Sequence, residues 1–174
     1  MAADSDPTMW TLPLKKIIFE FIDHTTPLVE MDVSDYTFHL DSGTTVHHFP
    51  DTIHGFFDEH VIYEGLPEER EVGRHILSRQ NIEVIRLRFG NSELERCSMT
   101  VYRPQDFLGL PSFGTDDHVP CAYVKNANRT DLVATFGAPF FTLVAVQFDT
   151  WSRTVKLMNK PYYKRAQVNL RPGW

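Results

Sequence analysis

A mainly β domain with one or two short helices is what this chain should form. Short runs rich in β-branched and aromatic residues recur along it, each only about 4–8 residues long and many alternating apolar with polar. Turn residues separate the runs, and only two stretches carry helical spacing. With 174 residues, 42% hydrophobic and 23% charged, the chain has the length and composition of one folded domain with its own core.

The first strand region is "WTLPLKKIIFEF", Trp10–Phe21, preceded by a flexible extension over residues 1–9. "TFHL" then leads as a strand into Asp41. In "PDTIHGFFDEHV", Ile53, Phe56, Phe57 and Val61 fall on one helical face, and Asp51 stands in the first turn, where the helix dipole favours an acid. Strands follow at Glu83–Gly90 and Cys97–Pro104, and "RPQDFLGL" allows a single helical turn at most. Further strands are expected at Pro120–Ala127 and Thr142–Asp149. The latter pairs as a hairpin with Thr154–Lys160 across Thr150-Trp151-Ser152-Arg153. Residues 10–160 make the domain, and residues 161–174 a loose tail. The acidic run Glu64–His75 reads as a charged surface segment and Leu108–Pro120 as a long loop.

A formal net charge of -6, with Lys and Arg scattered along the chain, disfavours a phosphate backbone as partner. No apolar window approaches the ~18 residues of a membrane span, and "MAADSDPTMW" lacks the basic and apolar regions of a signal peptide. Neither nucleic acid nor membrane is an expected partner. Cys97 and Cys121 permit one disulfide or two free thiols, and Asn128-Arg129-Thr130 is a glycan acceptor if the chain meets the secretory pathway. His47, His48, His54 and His60 invite a metal reading, with His54 and Asp58 one helical turn apart. Adjacent His47 and His48, however, point to opposite faces of an extended segment, and no Cys pair or HExxH spacing accompanies them. Neither a metal nor another cofactor is expected.

Chemistry concentrates in "FHLDSGTTVHHFP". A strand ending on Asp41 holds its carboxylate rigidly, Gly43 lets the chain turn back tightly, and Ser42, Thr44 and Thr45 bring hydroxyls close to the acid. Asp-Ser-Gly-Thr is also good turn chemistry with no further purpose.

With its flanks, this stretch resembles the second active-site segment of pepsin-like aspartic proteases. There an apolar strand feeds Asp-[Ser/Thr]-Gly-[Thr/Ser]-[Thr/Ser], followed by a proline and a short helix. "TFGAPFFTLVAVQFDTWSRTVKLM", Thr135–Met158, is similar to the apolar-Gly segment and terminal hairpin of the same family, although Ala138 replaces the acid usual there. "MWTLPLKKIIFEF", "RLRFG", "CSMTVYRPQDFL" and "CAYV" extend the likeness over Trp10 to Met158. The resemblance implies a single C-terminal lobe of the pepsin-like fold. Asp41 would be catalytic, Ser42, Gly43, Thr44 and Thr45 would form its supporting loop, and Phe136-Gly137 would pack beneath them.

Complete enzymes of that family use two aspartates, one from each lobe, whereas this sequence holds one Asp-Ser-Gly. The implied function is peptide-bond hydrolysis on a peptide or protein substrate, with the second lobe either supplied by another polypeptide or lost from the gene as read. A retropepsin-like homodimer of two copies, or a non-catalytic binding module, are the alternatives. A lone carboxylate has no partner for sharing a proton, so Asp41 is expected to titrate near ~3.9 unless burial raises it. Cys121 sits about where the family has its second cysteine, but Cys97 follows the Phe89-Gly90 turn that the family's first cysteine precedes. Family members are secreted or vacuolar.

Overall fold

The structure, a computed structural model, describes residues 9–60, 63–64, 76–77, 82–90, 97–109, 119–120, 122–126, 132–161 and 166–169. Cys121, Asn128, Val61, residues 65–75 of the acidic run and residues 110–118 of the expected long loop lie outside them.

The protein is mainly β. The first expected strand is two, β1 (Trp10–Leu12) and β2 (Leu14–Phe21), because Pro13 has no N–H to continue a ladder. The break sends them into different sheets. After β3 (Val29–Asp32) and β4 (Thr37–Leu40) come β5 (His47–Phe49) and α1 (Asp51–His60). Short strands β6 (Tyr63–Glu64) and β7 (Ile76–Leu77) precede β8 (Ile82–Phe89) and β9 (Cys97–Val101). Next come α2 (Pro104–Leu108), β10 (Val119–Pro120) and β11 (Tyr123–Lys125). The chain continues through β12 (Val133–Phe136), α3 (Ala138–Leu143), β13 (Val144–Asp149), β14 (Thr154–Asn159) and β15 (Ala166–Asn169).

Two five-stranded sheets dominate, ordered β1-β4-β12-β5-β11 and β15-β9-β8-β2-β3. Helix α1 joins them. Phe19 of β2 lies 4.8 Å from Phe56 and 5.3 Å from Phe57, ring centre to ring centre, and Phe57 stacks at 5.0 Å on Phe49 of β5. Phe19, Phe49 and Phe57 are fully buried, and side chains of this size each contribute about 1.5–3 kcal/mol on leaving water.

Two expectations are corrected, and one open alternative is decided. The tail is not loose throughout: Ala166–Asn169 pairs antiparallel with β9, burying Ala166 and Val168 on alternate positions. The strand expected from Thr142 starts at Val144, since Ala138–Leu143 is helical with a proline in its first turn. Of the two states left open for the cysteines, Cys97 takes that of a buried free thiol. It sits within β9 opposite Phe89, packed as a small hydrophobe in the core.

The hairpin of β13 and β14 forms in the expected register, Asp149 facing Thr154. Asp149 closes its turn by accepting hydrogen bonds at Oδ1 from the N–H groups of Trp151 at 3.0 Å and Ser152 at 3.1 Å.

Candidate functional site

Strand order creates the site. β12 lies between β4 and β5, parallel to β4 and antiparallel at Thr135–His48 to β5, so the loop joining β4 to β5 must cross the end of β12. That loop is residues 41–46. Backbone bonds fasten it there: Asp41 N–H donates to Phe136 C=O at 3.1 Å and Ala138 N–H donates to Thr44 C=O at 2.8 Å.

The crossing requires a glycine. A Cβ on Gly137 would stand 2.2 Å from the carbonyl oxygen of Val46 and 2.7 Å from that of Thr44, both backbone atoms unable to swing aside. Its φ of -90° is ordinary, so close approach rather than backbone conformation selects glycine here. Phe136 and Gly137 therefore do meet the 41–45 loop. Phe136 is wholly buried and stacks on Phe140 at 4.9 Å.

Within the loop, Asp41 is half-buried, while Ser42, Gly43 and Thr45 are exposed. Gly43 N–H donates to Asp41 Oδ1 at 2.9 Å and Thr44 Oγ1 donates to Oδ2 at 2.6 Å. Thr44 thus supplies the hydroxyl that contacts the acid, and both carboxylate oxygens are held by donors. Charge is favoured on a group so placed. The Thr44 hydroxyl first, then the Gly43 amide, holds the Asp41 carboxyl below its ordinary value, against a smaller opposing effect of burial, with His48 adding a slight electrostatic pull. The expected unperturbed titration is corrected accordingly.

One residue central to this arrangement has no role in the sequence motif. His47 is completely buried, its ring 4.5 Å from that of Phe107 and 5.6 Å from those of Phe49 and Phe136. Its Nε2–H donates to Phe107 C=O at 2.9 Å, and its Nδ1 accepts from Gly137 N–H at 3.1 Å. The legible signal was parity, because His47 shares the inward face of β5 with Phe49 while His48 points the other way.

The remaining histidines are dispersed. His60 donates from Nδ1 to Phe56 C=O at 2.8 Å and packs on Phe19. No group of three His, Cys, Asp or Glu among the described residues is arranged to hold a metal ion. No helix among them is long and apolar enough to cross a membrane. The chain matches no protein-family model and no curated protein sequence.

Proposed function

We propose that this chain is one lobe of an aspartic-type endopeptidase and that Asp41 is its catalytic carboxylate. The observation that carries this reading is the fixed Asp41 side chain. It stands at a strand end, with Oδ1 on the Gly43 amide and Oδ2 on the Thr44 hydroxyl, in a loop seated on Gly137. The exposed Ser42, Gly43 and Thr45 leave that loop at the surface, where a peptide can reach it.

Such chemistry needs two carboxylates sharing one proton, because like charges about 3 Å apart do not both ionise. Asp41, held below the ordinary carboxylate range, suits the ionised member. It accepts a proton from water as that water attacks the scissile carbonyl, and the partner carboxyl protonates the carbonyl oxygen. The proton on Asp41 then passes to the leaving nitrogen as the C–N bond breaks, and a hydroxyl of the adduct returns its proton to the partner. That partner comes from a second lobe, which is the protein partner this reading requires.

Asp41→Asn tests the assignment, since an amide fills the same space but cannot act as a base. With the second lobe present, peptide hydrolysis across acidic to neutral pH should fall at least ~100-fold while circular dichroism stays unchanged. Hydrolysis surviving in the folded variant rules Asp41 out as the catalytic group.

A further inference from the structure

The two ring bonds of His47 fix its tautomer. A carbonyl cannot donate, so Nε2 carries the proton given to Phe107, and an amide cannot accept, so Nδ1 offers a lone pair to Gly137. The main-chain N–H of His47 also donates to Ala122 C=O at 2.7 Å. One residue therefore connects α2, the approach to β11 and the Gly137 junction on which the Asp41 loop rests.

A second proton has nowhere to go. It would bind Nδ1, turning a lone pair that faces Gly137 N–H into a second N–H, inside a shell of Phe49, Phe107 and Phe136. Both ring nitrogens are taken by main-chain groups, so no carboxylate bonds to the ring. Among the titratable groups on the packed elements, α1 brings Asp51, His54, Asp58, Glu59 and His60, with Asp51 3.6 Å from Lys125. β5 brings His48, β11 brings Tyr123 and Lys125, and β4 with its loop brings His39 and Asp41, whose oxygens are held by Gly43 and Thr44. At α2, Arg103 of the N-cap and Asp106 of the first turn pair with each other at 3.6 Å, while β12 and α3 carry no titratable residue. Burial first, and the charge of His48 to a lesser degree, press the His47 pKa down to about 3, against the bond to Phe107.

We propose that His47 is the positioning residue of the 41–45 loop and an acid-sensitive clasp: neutral, it ties Gly137 to Phe107, and protonated, it releases Gly137 and with it the seat of Asp41. The candidate site is then assembled in neutral and mildly acidic solution and is lost in strong acid. Only the consequence for turnover rests on the reading of Asp41 as catalytic.

Nitrogen and amide NMR of the whole chain from pH 7 to pH 2 tests the clasp without any turnover assay. Neutral His47 should carry its proton on Nε2, and the Gly137 and Ala138 amides should lose protection over the same pH range in which the ring protonates. His47→Gln retains an acceptor for Gly137 and a donor for Phe107 but cannot be protonated. It should keep both amides protected to lower pH, and remove a loss of about tenfold per pH unit in the folding constant below pH ~6. The Nδ1-protonated tautomer, ring protonation near 6.5 with both amides still protected, or equal pH dependence in the two proteins would each overturn the proposal. Should the glutamine variant not fold, the wild-type ring and amide titrations decide alone. Absence of hydrolysis at every pH, even with a second lobe, counts against Asp41 as a catalyst but does not alter the amide result.

Discussion

Asp41 and Thr44 make the residue-scale case. The 2.6 Å bond from the Thr44 hydroxyl is the largest influence lowering the Asp41 pKa from 3.8. Thr44→Val keeps the shape and removes the donor, so the Asp41 titration followed by carboxyl NMR should move upward toward 3.8. The sign for stability follows. A carboxyl whose folded pKa is depressed stabilises the fold above its unfolded value, and that contribution vanishes as pH falls through the folded value. Thr44→Val should therefore flatten the dependence of stability on pH below about 4. An unmoved Asp41 titration would mean that the hydroxyl does not hold the carboxylate in solution.

At the scale of elements, two glycines separate contact from conformation. Gly137, at the start of α3, has backbone atoms within 2.2 to 2.7 Å of where a Cβ would go, so Gly137→Ala must push the β4–β5 loop off β12. A cost of about 1–3 kcal/mol is expected, read as a lower urea midpoint at unchanged slope. Gly55 lies exposed within α1 with nothing inside 4 Å of its Cβ position. Gly55→Ala should instead stabilise by about 0.5–1 kcal/mol, through helix propensity alone. If both substitutions shifted the midpoint the same way, the close crossing of loop and strand would be in doubt.

For the whole molecule, His47 sets the acid limit. An unfolded histidine protonates near 6.5 whereas the buried ring holds out to about 3. Between those values the unfolded chain binds the extra proton, so stability falls as pH falls, by about 1.4 kcal/mol per pH unit from this one group. Over the window that approaches ~4–5 kcal/mol, a large share of the ~5–15 kcal/mol typical of a domain. Denaturant midpoints at pH 7, 5 and 4 should decline steadily; a flat profile contradicts a buried neutral His47. Assembly is tested at the same scale. With a single aspartate motif, the monomer should be catalytically silent, and sedimentation beside a peptide-cleavage assay checks it. Turnover by a demonstrated monomer would sink the two-lobe requirement, whereas activity tracking the dimer fraction would favour a pair of identical copies.

Local rules read from the sequence account for much of the fold. Alternation and β-branched residues announced β2, β8, β9 and the β13–β14 hairpin, the spacing of Ile53, Phe56 and Phe57 announced α1, and turn chemistry marked the Asp41 loop. These features depend on neighbours along the chain, so they are written along it. The tertiary structure decided the rest. Whether Pro13 merely bends a strand or divides it between sheets, whether residues 166–169 find an edge on β9, and whether Cys97 meets another sulfur all depend on elements far apart in sequence. The site divides the same way. Asp41, Gly43 and Thr44 touch one another within four residues, so their grouping was legible in the motif. The bond between His47 and Phe107 spans 60 positions and that between Gly137 and His47 spans 90. Only the insertion of β12 between β4 and β5 brings those groups within hydrogen-bonding reach, because strand order is settled by the packing of the whole sheet rather than by any local preference.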